Sequence, residues 1–219
     1  MKIWEHKYPQ SIWASEIVKL LKSNPDYSLG IIVDAPCGNG IIGNLISKEL
    51  DNPRILLLDN DTSLSKSPYV INEKMDYRIE DIFEFHIEGN DHTWLLINSL
   101  YCLPDSDKLI SGAKDKFKYV IAVFPDIKSA NYKYFIKKNP NFSNPSAIDI
   151  ESTINLFKKH GYDLESKSNN TKVAFHKWNG FFDAIKLPFI FKNIIYLTFD
   201  NLLFFLSGHY TIIAFKRSE

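Results

Sequence analysis

The chain has 219 residues, 45% hydrophobic and 24% charged, proportions that suit one globular domain large enough to bury a core. Lys and Arg number 26, as do Asp and Glu, so the formal charge is zero and no long-range field gathers phosphate backbones; duplex nucleic acid is not an expected partner. Two cysteines, Cys37 and Cys102, make no disulfide framework, and the opening MKIWEHKYPQ lacks the apolar core of a signal peptide, so a cytoplasmic location is expected.

Helical period over 10–22, QSIWASEIVKLLK, places Ile12, Ile17, Leu20 and Leu21 on one face, and Asn24-Pro25 ends it. Residues 1–25 are thus expected to form an N-terminal helical segment. Strands are predicted at 30–34, 54–59, 77–80, 94–98, 118–124, 161–166 and 209–216, with helices at 41–50, 105–115 and 148–159. The crossover at 61–75 is weakly patterned. Short apolar runs alternating with helical stretches are the mark of strands joined by crossover helices, so the class is α/β. The connections 125–147 and 167–208 are longer than a compact domain needs. The second is expected to be an insertion forming a cap, a lid or an interface, with 181–206 as a surface for a homodimer. Its apolar run is broken by Pro188, Lys192 and Asp200, which makes it a poor bilayer span.

Between the first strand and the next helix lies VDAPCGNG, residues 33–40, and GNGIIG at 38–43 satisfies G-x-G-x-x-G. Glycines there admit close backbone approach to a ligand, and the N–H groups at a helix start favour negative or electron-rich groups. That spelling suits a dinucleotide, and Asp59, at the end of RILLLD, has the spacing of its ribose-binding acid, so an NAD-dependent oxidoreductase is one alternative. Asp34 argues otherwise. A carboxylate at the end of the first strand repels a pyrophosphate but suits a cation, and S-adenosylmethionine carries both an ammonium and a sulfonium group. Gly43 then becomes a helix-packing position.

In that register the chain resembles the class I S-adenosylmethionine-dependent methyltransferases, whose first motif runs hydrophobic strand, acidic residue, two variable residues, then Gly-x-Gly. The resemblance extends from the N-terminal helix to the final strand. It implies a Rossmann-like open sheet of seven mostly parallel strands, helices on both faces and the last strand antiparallel, within a single domain spanning 1–219. Pro36 departs from it, standing where many members have an earlier glycine and removing an N–H from the loop. The resemblance assigns cofactor contacts to Asp34, Ala35, Pro36, Cys37, Gly38, Asn39 and Gly40, and the two ribose hydroxyls to Asp59. Asn60 or Asp61 would lie beside the adenine; Asp81, in YRIEDIFEF, would meet its amino group, and the Ile82 N–H a ring nitrogen. Standing alone, Asp81 reads equally as a helix cap or turn residue.

At the fourth strand, WLLINSLYCLPD places Asn98 against the cofactor and Ser99, Leu100 and Tyr101 on the substrate side, because ligands of open α/β sheets sit outside the carboxyl ends of the strands. NSLY shares only its outer letters with the Asn-Pro-Pro-Tyr motif of amino-methylating enzymes. Asp105 reads as a helix cap. The reaction implied is in-line transfer of a methyl group to a small-molecule acceptor, leaving S-adenosylhomocysteine. Asp126, in VFPD, and His176, in AFHKW, are the candidate bases if the acceptor is a hydroxyl. No metal is expected, since Asn98 replaces the fourth-strand acid of magnesium-dependent relatives and one carboxylate is thin coordination for a hard cation. A cofactor-binding relative that has lost transfer is the remaining alternative.

Overall fold

The computed structural model describes residues 7–70, 74–100, 103–125, 133, 137, 149–173, 191, 194, 198 and 208–218, with 7–9, 169–173 and 208–209 described by backbone alone. Seven strands form one sheet: β1 (Ile32–Asp34), β2 (Ile55–Asp59), β3 (Met75–Ile79), β4 (His92–Ile97), β5 (Phe117–Pro125), β6 (Tyr162–Val173) and β7 (Gly208–Arg217). Their order is β3-β2-β1-β4-β5-β7-β6. The first five pair in parallel, with Val33 opposite both Leu56 and Trp94, whereas β7 runs antiparallel to β5 and β6. This is the expected Rossmann-like architecture.

The central strands read as unbroken apolar runs because both faces of a mainly parallel sheet are covered. Alternate residues serve opposite cores. Ile55 and Leu57 join one with Trp13, Ile17 and Leu21 of α1 (Lys7–Ser23) and Ile42 and Ile46 of α2 (Ile41–Glu49). Leu56 and Leu58 join the other with Leu109 and Ile110 of α3 (Ser106–Ala113) and Ile154 and Phe157 of α4 (Ile150–Lys159). The Phe157 ring stacks on Phe215 with centroids 4.2 Å apart. Truncating such a residue to alanine costs about 3–5 kcal/mol. At the sheet edge, β3 buries only Met75.

Helix ends follow side-chain capping. Asp105 accepts from Lys108 N–H at 2.9 Å, as the cap reading requires, and Asp149 accepts from Ser152 N–H at 2.9 Å. The 61–75 crossover contributes a 3₁₀ turn, Thr62–Lys66, capped by Asp61, whose Oδ1 accepts from Ser63 N–H at 2.8 Å.

Several boundaries differ from expectation. The buried face of α1 carries Trp13, Ala14, Ile17, Val18 and Leu21, whereas Ile12 and Leu20 are only partly covered. Strand β4 begins at His92, whose Nδ1 accepts from Ile31 N–H at 3.1 Å while Nε2–H donates to the Glu88 carbonyl at 2.7 Å. Strand β6 runs to Val173 rather than ending at 166, so the long connection starts later than 167. Its polar second half, KSNNTK, has little strand propensity, but pairing with β7 as far as Val173↔Gly208 overrides that preference. The cap, lid or interface expected of this connection, including the 181–206 surface, falls almost wholly outside the described residues. No described helix is long and apolar enough to cross a membrane.

Candidate functional site

Strand β1 lies between β2 and β4. The chain leaves β1 for α2 on one face and β4 for α3 on the other, so the carboxyl ends of these strands diverge and open a crevice. A hollow of about 300 Å³ occupies it. Its walls bring together Asp34, Pro36, Cys37, Gly38 and Asn39 of the loop, Asp59 and Asp61 beyond β2, and Asn98 and Ser99 beyond β4. Ile42, Ile97, Gln10 and Trp13 complete it.

The loop is held by its own side chains. Gly38 N–H donates to Asp59 Oδ2 at 2.7 Å and Asp61 N–H to Asp59 Oδ1 at 3.0 Å. Gly43 N–H donates to Asp34 Oδ2 at 3.2 Å, Ile41 N–H to Asn39 Oδ1 at 3.2 Å, and Gly40 N–H to the Cys37 carbonyl at 3.0 Å. From below, the Trp94 indole donates to the Ala35 carbonyl at 2.7 Å, and the following Ala35–Pro36 peptide is cis. These N–H groups are the ones a dinucleotide fingerprint would offer to a pyrophosphate, and here they are engaged internally.

The glycines divide by role. Gly38 has φ +59°, and a Cβ there would meet no protein atom within 4 Å, which leaves the space beside it open to a ligand. At Gly43 a Cβ would lie 2.4 Å from Leu57 Cδ2, so this residue lets α2 pack closely on β2.

Three carboxylates, Asp34, Asp59 and Asp61, line the hollow, and among the described residues no Lys, Arg or His does. Asp34 is 1% exposed. Burial pushes its carboxyl up to about 7, opposed by the Gly43 N–H bond and reinforced by the charge of Asp59. Burial, then the charges of Asp34 and Asp59, push the Cys37 thiol well up, which disfavours the thiolate, its nucleophilic form.

Asn98 ends β4 in the left-handed region, φ +50°, which asparagine tolerates better than most residues. Its N–H donates to the Val123 carbonyl at 2.9 Å. The Asn98 amide oxygen, the Ser99 hydroxyl and the Trp13 indole N–H are all buried and have no hydrogen-bond partner in this structure. Each such group costs about 1–3 kcal/mol if nothing meets it.

Other residues expected at the site stand elsewhere. Ala35 is wholly buried in the core, Gly40 caps α2, and Asn60 is exposed beyond the rim. Leu100, 1% exposed, packs into the core on the α3 side instead of facing the hollow. Asp81 is exposed, and its Oδ1 accepts from Phe83 N–H at 2.9 Å, the turn-capping role that competes with an adenine contact. Ile82 opens on a separate hollow of about 390 Å³ beside Phe83, Lys108 and Lys116. Tyr101, Asp126 and His176 lie outside the described residues. Among the described residues no group of three or more His, Cys, Asp or Glu converges as a metal cage would require.

Gln10 and Trp13 escaped the sequence reading, which treated the first helix only as a prelude to the sheet. The available signal was an indole, with its single polar edge, on the apolar face of an amphipathic helix.

No family model and no curated protein matches the chain. Solved structures do match it. Phosphoethanolamine N-methyltransferase 2 of Haemonchus contortus, bound to phosphomonomethylethanolamine and S-adenosylhomocysteine, is 14% identical over 94% of this chain and 53% of its own, with TM-score 0.63. Magnesium protoporphyrin IX methyltransferase of Synechocystis PCC 6803, bound to S-adenosylhomocysteine, is 12% identical over 96% of this chain and 84% of its own, with TM-score 0.63. A candidate methyltransferase of Bacillus halodurans C-125 is 13% identical over 94% of this chain and 100% of its own, also with TM-score 0.63. The chain therefore has the fold of the class I S-adenosylmethionine-dependent methyltransferases.

Proposed function

We propose that the chain is a methyltransferase that binds S-adenosylmethionine in the hollow beyond β1, β2 and β4 and methylates a small-molecule acceptor by in-line displacement. The observation that carries this reading is the acidic wall, with no Lys, Arg or His among the described residues, around a loop in which the Gly38 and Gly43 N–H groups are already engaged. Such a wall disfavours a pyrophosphate and favours a cation. A carboxylate offers about four lone-pair sites. Asp59 uses two of them on Gly38 and Asp61, which leaves room for two ribose hydroxyls.

When bound, S-adenosylmethionine supplies a methyl group made electrophilic by its sulfonium. The chain has then only to hold and orient. Asp59 anchors the nucleoside, Gly38 leaves space for it, and Asn98 and Ser99 beyond β4 close the wall opposite Asp59 in strand order. Because positioning supplies much of the rate in such a displacement, rigid strand ends are suitable platforms. Asp126 and His176 are the proposed bases for a hydroxyl acceptor, and no metal is invoked. One neighbour named above holds a phosphorylated amine and another is named for a porphyrin, both on one fold, so the fold does not select the acceptor.

Calorimetric titration with S-adenosylmethionine and with NAD tests the proposal. Saturable binding of the first and none of the second is expected; binding of NAD alone would overturn it. Release of S-adenosylhomocysteine on presenting acceptors separates an enzyme from a relative that only binds.

A further inference from the structure

Strand β3 ends the sheet, and among the described residues no strand pairs with its outer edge. Such an edge presents a row of N–H and C=O groups to any strand that fits it. Pairing with β2 fixes which residues present them. Glu80 N–H donates to the Asp59 carbonyl at 3.1 Å, so Arg78 and Asp76, in phase with Glu80, turn their backbone groups inward, while Met75, Tyr77 and Ile79 turn theirs outward. Tyr77 and Ile79 are also 44% and 42% exposed, large apolar side chains on the face that carries Met75. Lys74, Asp76, Arg78 and Glu80 alternate with them on the other face, all exposed.

Residues 74–80 read KMDYRIE, a stretch whose charges complement themselves when it is reversed about Tyr77. Against a second copy running antiparallel, Tyr77 meets Tyr77, Met75 meets Ile79, Asp76 meets Arg78 and Lys74 meets Glu80. Backbone phase agrees with this register. Tyr77 would exchange hydrogen bonds with its own copy, and Asp76 and Arg78 would fall at the non-hydrogen-bonded sites, where facing side chains come closest. Centring the pair on Asp76 or on Arg78 instead sets like charges opposite each other. Charges that only guard an edge need no such order. Arg78 is already fixed on its face: its Nη1 donates to the His86 carbonyl at 3.1 Å, and its guanidinium lies 5.6 Å from the Phe85 ring centroid.

We infer that β3 is a dimerisation edge, to which a second copy of this chain adds its own β3, antiparallel and in register about Tyr77. The pairing is reciprocal, so it closes as a two-fold dimer and does not propagate. The carboxyl ends of the two sheets, and with them the two hollows, then point in opposite directions. Sedimentation velocity over a concentration series of the full chain tests this. The wild type is expected to show a reversible dimer. Asp76→Arg and Arg78→Asp each set like charges opposite one another at both symmetric sites, and each should weaken self-association roughly tenfold or more. Mixed together, the two variants restore the ion pairs between unlike chains, and the mixture should dimerise as the wild type does. A reversal that acted only on the fold of its own chain would show no such rescue. Tyr77→Cys decides if Arg78→Asp fails to fold. Two-fold pairing sets the two copies of that Cα about 5.5 Å apart, within disulfide reach, so mild oxidation should give a covalent dimer that the wild type, with Cys37 and Cys102 alone, does not form. A wild type that stays monomeric, a dimer that both reversals leave intact, folded variants that do not rescue each other, or a Tyr77→Cys chain that does not cross-link overturns the assignment.

Discussion

Replacing Asp34 by asparagine probes the acidic wall at its most buried point. In the fold the carboxyl is held up to about 7 by burial, against 3.8 for an unburied aspartate. Between those values the folded chain keeps the proton and the unfolded chain releases it. This contribution to stability is therefore full below the unfolded value and is lost as pH rises through the folded one, at about 1.36 kcal/mol per pH unit. Integrated from about pH 5 to about pH 8, the wild type loses about 2.6 kcal/mol through this one group. Asp34→Asn keeps the side-chain shape, and its amide oxygen can still accept from Gly43 N–H, but it does not titrate. Its unmatched NH2 costs about 1–3 kcal/mol at every pH, an offset that cancels between the two conditions. Urea unfolding of both proteins at both pH values is the assay, the other carboxylates being common to the pair. The wild type should lose about 2–3 kcal/mol more than the variant across the range. Curves that shift in parallel would refute the argument, because they would mean that Asp34 is ionised throughout and that burial does not govern it.

Asp59→Ala removes the proposed ribose anchor and leaves Gly38 N–H without its acceptor; S-adenosylmethionine binding measured by calorimetry should weaken by about 1.5–3 kcal/mol. Unchanged affinity would place the ribose elsewhere. Gly43→Ala forces a methyl to within 2.4 Å of Leu57 Cδ2. Thermal or urea unfolding should show a net loss of about 1–3 kcal/mol, although alanine is the better helix former by about 1 kcal/mol. A more stable variant would show that α2 has room to lift from β2.

The strands at 54–59 and 118–124 were legible because a centrally buried strand has to be apolar on both faces, which leaves a run that no amphipathic helix produces. The loop was legible for a related reason: positive φ at Gly38 and Gly40 and the tight approach at Gly43 each demand glycine, and the demand is met in the letters. Strand β6 was not legible beyond Ser166, since KSNNTK is extended by its partner and not by its own preference. Leu100 was misplaced because a residue just past a strand end can turn towards the crevice or under the next helix, and the local sequence favours neither. Asp81 shows the same limit. Its spacing suits an adenine contact and a turn cap alike, and the hydrogen bond to Phe83 N–H records the second.

Local chemistry thus determined, from the sequence by itself, the α/β alternation, the glycine loop after the first strand, and the acids at the ends of the first two long apolar runs. Each depends on residues within a few positions of one another, where backbone preference and period act directly. Only the tertiary structure decided that Trp13 lines the same hollow as Asn98 and Ser99, more than 80 residues away in the chain, and that Asp34 lies deep enough for its carboxyl to be held up to about 7. Those facts depend on which face of the sheet α1 covers and how completely water is excluded beneath the loop. Packing of the whole core sets both, and no short stretch of sequence encodes it.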